Sequence, residues 1–205
     1  MLTTTGPELE ADFEKSKLLM GPGKFSQCSL DDPSLEQNSM LEKLRGNGSK
    51  LNRLFVIISG AVGSGKTYAA IAYAVRHSAK VSGMYGSAVQ AVVIHHDDLA
   101  QHVGMRDESG RALIAKAKRT PMLVLDDLRG RSDAHGGKGM AGLVEEIINA
   151  RYNAQKQTVI TTNLTGQQFQ ETYGEPVVSR MRESWLPIQA PKKDYRKDKH
   201  VEMEW

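Results

Sequence analysis

Residues Gly60-Ala61-Val62-Gly63-Ser64-Gly65-Lys66-Thr67 match G-x-x-x-x-G-K-[ST] at every fixed position. The apolar run Leu54-Phe55-Val56-Ile57-Ile58 comes directly before them, and an alanine-rich stretch follows. A buried strand, a tight glycine turn and a helix start in that order aim backbone N–H groups and a positive helix end at phosphate oxygens. Lys66 is expected to reach the β- and γ-phosphates, and the Thr67 hydroxyl to hold Mg²⁺. With Tyr68, the first residue beyond the motif, Gly60 to Tyr68 form the expected nucleotide-binding set. The chain is therefore expected to bind a nucleoside triphosphate with Mg²⁺.

The remaining composition narrows the class. The chain has 205 residues, 40% of them hydrophobic and 25% charged, which suits one soluble globular domain with a short extension. No apolar run approaches the roughly 20 residues that cross a bilayer, and Met1 to Glu8 lack the basic and apolar regions of an export signal. Cys28 is the sole cysteine; it forms no internal disulfide and fits a reducing cytoplasm, the expected location. Charge is unevenly placed. Residues 1–42 hold eight acids and three lysines, and the rest holds 24 basic against 16 acidic residues. That asymmetry suits a polyanion partner, although a solvated basic tail at Lys192–Lys199 accounts for part of it.

Element by element, residues 1–45 read as a polar N-terminal arm with a helical candidate near 9–20 and a short helix over 34–45. Residues 46–191 read as the core, and 192–205 as a basic C-terminal tail. The pattern predicts strands at 54–59, 91–95, 122–127, 158–163 and 185–188. Helices are predicted at 66–79, 110–119, 140–155 and 166–183, with Gly83 and Gly86 breaking the chain before the second strand. Alternating strands and helices with continuous apolar strands predict a parallel five-stranded sheet covered by helices on both faces.

The third strand ends in Asp126-Asp127, which places carboxylates where open α/β sheets bind ligands. Asp126 is expected to hold the Mg²⁺ hydration shell, and Asp127 to orient or deprotonate the attacking water. Asn163 follows Thr161-Thr162 at the fourth strand's end, where a neutral amide can bond a γ-phosphate oxygen or the water without repelling charge.

This order resembles the AAA+ ATPases, and within them the DnaC/DnaI helicase loaders and the IstB transposition ATPase. The resemblance covers about residues 25–197 and rests on the phosphate loop, Leu123-Val124-Leu125-Asp126-Asp127-Leu128 and Ile147-Ile148-Asn149-Ala150-Arg151-Tyr152. Val159-Ile160-Thr161-Thr162-Asn163-Leu164, Gly174-Glu175-Pro176-Val177-Val178-Ser179-Arg180-Met181 and Tyr195-Arg196 complete it. It implies a P-loop NTPase fold of the AAA+/ASCE type with little or no C-terminal helical lid. It further implies ATP hydrolysis, with Asn163 as sensor 1 and Arg180 as an arginine finger acting in trans within a homo-oligomer. Arg196 then falls near the nucleotide. Without the resemblance, Arg180 reads as a surface arginine on an amphipathic helix. The chain departs from the pattern at Pro176, where several relatives carry arginine. It departs also in the segment 129–139, which is longer and more basic than usual.

The implied partners are single-stranded DNA and a replicative helicase, and no membrane. An IstB-like regulator binding duplex DNA, a small-molecule kinase and a non-hydrolysing DNA-binding module are the competing readings. Arg129, Arg131 and Lys138, the basic helix with Lys116, Lys118 and Arg119, and the tail are the candidate DNA contacts. His95-His96-Asp97-Asp98 reads as a strand end entering a helix cap more readily than as a metal site, since neighbouring strand residues face opposite ways.

Overall fold

The computed structural model describes residues 28–32, 38–46, 54–85, 91–102, 108–130 and 137–195. The predicted arm helix near 9–20, most of the basic loop and Arg196 lie outside them. Five parallel strands form one sheet: β1 (Phe55–Ser59), β2 (Ala91–His95), β3 (Met122–Leu128), β4 (Gln157–Thr162) and β5 (Trp185–Gln189). Their spatial order is β2-β3-β4-β1-β5. β4 thus lies between the strand that feeds the phosphate loop and the strand that carries the two aspartates.

Strand alternation sends side chains to two separate cores. Val56 and Ile58 pack with α1 (Ser39–Gly46) and α2 (Lys66–Tyr85) on one face. Phe55, Ile57, Leu123, Leu125 and Ile160 face the other layer. That layer holds α3 (His96–His102), α4 (Glu108–Arg119), α5 (Gly137–Asn153), α6 (Gly166–Tyr173) and α7 (Glu175–Glu183). Among the described residues no helix is long and apolar enough to cross a membrane.

α5 begins at Gly137, inside the basic segment 129–139, most other element ends shift by one or two residues, and three further features differ from expectation. α2 runs on through Gly83 to Tyr85, because one glycine weakens a helix without ending it. The single helix expected over 166–183 is two helices, separated at Gly174 with φ 88°. Thr165 and Gln168 form a capping box at the start of α6, and Pro176 sits in the first turn of α7, where its missing N–H costs nothing. The third difference lies in β3, whose register against β4 shifts between Leu125 and Leu128, with Asp127 at φ 57°. This bulge shapes the site.

Arg151 is fully buried on α5 without a carboxylate among its bonded partners. Its Nε donates to Thr158 Oγ1 at 2.7 Å, and its Nη1 donates to the carbonyls of Ala117 and Thr120 at 2.7 and 2.8 Å. Nη2 donates to the carbonyls of Pro121 and Gln157. One guanidinium thus ties the end of α4 and the entry to β3 to the entry of β4. Burial pulls Arg151 down to about 10, which leaves it charged at neutral pH.

Cys28 is buried at the α1–α2 face, and burial, followed by the Asp32 charge, pushes its thiol up to about 12. Alkylation by iodoacetamide at pH 8 is expected to be negligible in the native protein and rapid in denaturant, since the thiolate is the nucleophile. Rapid native labelling, followed by mass spectrometry, would contradict this packing.

Candidate nucleotide site

The phosphate loop turns through left-handed backbone at Gly63 and Gly65, φ 80° and 81°, a conformation that admits glycine without strain. Ser64 is buried and donates from Oγ to the Ala61 carbonyl at 2.7 Å. Lys66 lies under the loop, its Nζ donating to the Ala61 carbonyl and to Asn163 Oδ1, both at 2.7 Å. Val62 stands at the loop's tip, 62% exposed.

The bulge gives the adjacent acids different surroundings. Asp126 is fully buried. It accepts from Thr67 Oγ1 at 2.9 and 3.1 Å and from Thr161 Oγ1 at 2.6 Å. His95 Nε2 lies 3.2 Å from Asp126 Oδ2. Asp127 instead faces the mouth of the sheet. Its N–H donates to Thr161 Oγ1 at 2.8 Å, and its Oδ1 accepts from Asn163 Nδ2 at 3.0 Å. Asn163 therefore bridges Lys66 and Asp127. Only one amide orientation suits a lysine that donates and a carboxylate that accepts.

Arg129 closes the constellation. Its Nε donates to Asp127 Oδ2 at 2.9 Å, with Nη2 2.8 Å from the same oxygen, while Nη1 and Nη2 donate to Asp97 Oδ1 and Oδ2 at 3.0 and 3.1 Å. Asp127, and less strongly Asp97, hold the guanidinium above its ordinary pKa. The sequence had marked Arg129 only as a candidate DNA contact and had assigned no site role to His95 or Asp97. The run His95–Asp98 does enter a helix: α3 begins at His96, and Asp98 Oδ2 accepts from the His95 N–H. His95 and Asp97 part toward different partners, Asp126 and Arg129.

Tyr68 points toward residues 28–32, not the phosphate hollow. Its hydroxyl donates to Asp32 Oδ2 at 2.9 Å and accepts from the Ser29 N–H at 3.2 Å. The first residues of the basic tail fold over the loop. Tyr195 N–H donates to the Gly63 carbonyl at 2.9 Å, and Asn38 Nδ2 donates to the Tyr195 hydroxyl at 3.0 Å. A Cβ on Gly63 would come within 1.9 Å of Asp194. The loop is thus covered by a strap that charge counting alone does not reveal.

Arg180 sits apart from this cluster. It donates from Nη1 to the Pro176 carbonyl within α7, and among the described residues it makes no hydrogen bond with Lys66, Thr67, Asp126 or Asp127. Of the candidate DNA contacts, Lys116 and Arg119 are exposed, and Lys118 pairs with Glu146. Arg131 and the Lys138 side chain lie outside the described residues.

The left-handed glycine turn with Lys66 beneath it fits a polyphosphate. The Thr67 hydroxyl and the buried Asp126 carboxylate form an all-oxygen donor pair suited to Mg²⁺. Comparison with known proteins agrees. The family model described as "IstB-like ATP binding protein" matches residues 29–181. The DnaC helicase loader structure is 22% identical, covers 83% of this chain and 100% of its own, and superposes with a TM-score of 0.63. DnaI is 19% identical over 89% of this chain and 100% of its own, at a TM-score of 0.68. The replication initiator DnaA, solved with AMPPCP and single-stranded DNA, is 19% identical at a TM-score of 0.60, over 80% of this chain and 50% of its own. Comparison with curated proteins found no match. The chain belongs to the IstB-like ATP binding protein family, on the AAA+ fold that it shares with DnaC and DnaI.

Proposed function

We propose that the chain hydrolyses ATP, assembles side by side on single-stranded DNA and loads or remodels a replicative helicase. DNA and the helicase enter this reading through the likeness to DnaC and DnaI; the observation that supports hydrolysis is the bulge that splits Asp126 from Asp127. One carboxylate is buried beside Thr67, and the other stands beside Asn163 at the sheet mouth. β4 brings Asn163 between Lys66 and Asp127, an arrangement suited to placing a water molecule.

Bound Mg²⁺ would neutralise developing phosphate charge, with Thr67 and Asp126 as its protein partners. Lys66 would exchange Asn163 for the β- and γ-phosphate oxygens. Asn163, relieved of the lysine, would turn its amide to the γ-phosphate or the water, and Asp127 would orient that water and draw on its proton. Gly60, Ala61, Val62, Gly63, Ser64 and Gly65 would surround the phosphates with backbone N–H groups. Tyr68 and Arg196 are proposed to border the rest of the nucleotide. Arg180, bonded to the Pro176 carbonyl and to none of the site residues, would serve the site of a neighbouring subunit and make turnover conditional on assembly.

The trans assignment has a specific outcome. Arg180→Ala is expected to lower ATPase activity by at least about 10-fold while leaving nucleotide affinity of the monomer unchanged. Mixing it with Asp127→Asn should restore activity, because one subunit supplies the arginine and the other the intact acid. Absence of rescue in verified mixed assemblies would refute the assignment.

A second reading follows from the family match itself: a transposition regulator of the IstB kind, acting on duplex DNA. Steady-state ATPase rates without DNA, with single-stranded DNA and with duplex of equal length separate the two. Single-strand stimulation supports the loader reading; stimulation by duplex alone supports the transposition regulator.

A further inference from the structure

We propose, on the reading that ATP is held at the phosphate loop, that Asp194 binds the sugar hydroxyls and makes the site prefer ribonucleotides to deoxyribonucleotides. The chain after β5 runs along that loop. The Ala190 N–H donates to the Ser59 carbonyl at 2.8 Å, and the Tyr195 N–H to the Gly63 carbonyl at 2.9 Å. Between these two ties Asp194 lies against Gly63. A Cβ on Gly63 would stand 1.9 Å from Asp194 Oδ1 and 2.9 Å from Oδ2, so glycine is what leaves room for the carboxylate. The Tyr195 ring borders the next glycine of the loop, where a Cβ on Gly65 would be 3.7 Å from its Cδ2.

The strap is anchored away from the loop as well. Asn38 donates from Nδ2 to the Tyr195 hydroxyl at 3.0 Å, and its Oδ1 accepts from the N–H groups of Met40 and Leu41 at 3.0 and 3.3 Å. One amide thus caps the start of α1 and holds the strap. Asp194 is kept at the loop by its neighbour's bonds on both sides of the peptide chain.

An acid in that place repels a polyphosphate, unless it meets a donor on the ligand. ATP offers a carboxylate two kinds of donor, the sugar hydroxyls and the amino group of the base. Lys66, Asn163 and Asp127 mark the γ-phosphate end of the loop, so the nucleoside leaves from the other end. The sugar follows directly on the α-phosphate, whereas the amino group lies across the purine. The hydroxyls are therefore the donors within reach of a carboxylate seated on Gly63. Adjacent 2′ and 3′ hydroxyls match the two oxygens of one carboxylate, the pairing by which an acidic side chain holds ribose in dinucleotide-binding folds.

The test is calorimetric titration of wild type, Asp194→Ala and Asp194→Asn with ADP, 2′-deoxy-ADP, 3′-deoxy-ADP and inosine diphosphate, each with Mg²⁺. Diphosphates keep the sugar and the loop contacts and are not turned over. Wild type should bind each deoxy analogue about 10-fold more weakly than ADP, the scale of one hydrogen bond to a charged group. In Asp194→Ala, ADP should fall to the level of the deoxy analogues, and these should bind no worse than to wild type. Asp194→Asn, neutral but of the same shape, should keep part of the preference. Inosine diphosphate, which lacks the amino group, should follow ADP in all three proteins. Damage to the strap would weaken every ligand alike and leave the ratios unchanged.

Equal binding of ADP and both deoxy analogues by wild type would sink the proposal and leave the nucleotide site standing. A preference that Asp194→Ala retains would do the same. A change confined to the ratio of ADP to inosine diphosphate would overturn it by assigning Asp194 to the base. A uniform gain for all four ligands in Asp194→Ala would overturn it by making the carboxylate a barrier to nucleotide entry. Should Asp194→Ala fail to fold, Asp194→Asn decides by the same ratios. Wild type that binds none of the four would contradict the nucleotide site itself.

Discussion

Lys66→Ala is expected to lower ATP affinity by at least about 100-fold, since it removes a desolvated charged contact to the phosphates. Asp127→Asn is expected to leave affinity close to wild type while lowering kcat by about 100-fold or more, the scale of a lost general base. The contrast follows from position. Lys66 lies beneath the phosphate loop, bonded to the Ala61 carbonyl, whereas Asp127 sits beyond Asn163 at the sheet mouth. Calorimetric titration with ATP and steady-state hydrolysis, run on both variants, measure the two effects separately. Equal loss of affinity in both would contradict the division of roles.

The second large effect concerns stability, away from the nucleotide. Arg151→Ala is expected to destabilise the fold by about 3–5 kcal/mol, through the cavity and the buried acceptors left without a donor. For a chain of this size that lowers Tm by about 10 °C. Four carbonyls, those of Ala117, Thr120, Pro121 and Gln157, and the Thr158 hydroxyl lose their shared partner. Arg151→Lys should recover only part, because an ammonium cannot fork to acceptors on three elements. Thermal unfolding followed by circular dichroism gives the number. A shift under about 2 °C for Arg151→Ala would mean that those acceptors are satisfied without it.

Arg151 also shows where reading the sequence stops. Arg151-Tyr152 is visible as a family signature, yet arginine is rarely fully buried, and its acceptors come from segments far apart in the chain. The phosphate loop was legible because its residues act locally, through a strand end, a turn and a helix start. The same holds for β1, β2 and β3, whose apolar runs are continuous because both faces are covered by helices, whereas β5 is a half-exposed edge strand. The break at Gly174 was visible as glycine two residues before Pro176, but helical spacing on both sides concealed it. α2 passed Gly83 because local weakening did not stop it.

Within the site, the types of the key residues were legible and their partners were not. Asp126-Asp127 and Asn163 were placed at strand ends by spacing. The separation of the two acids comes from the β3 bulge and the left-handed backbone at Asp127, a conformation that aspartate enters more readily than most residues but that spacing does not place inside a strand. Arg129 reads from sequence as one more basic loop residue. Its contact with Asp97 needs β2 and β3 to lie side by side, with His95 in register with Asp126. The strap over Gly63 likewise arises because β5 pairs with β1, which carries the chain after Gln189 back across the phosphate loop.

The most direct test of the central claim is a high-resolution structure of Asp127→Asn with ATP and Mg²⁺. The account predicts triphosphate wrapped by residues 60–67, Lys66 moved from Asn163 onto the β- and γ-phosphates, and the Thr67 hydroxyl turned from Asp126 to the metal. Nucleotide bound elsewhere, or bound at the loop while Lys66 keeps its bond to Asn163 and Thr67 its bond to Asp126, would contradict it.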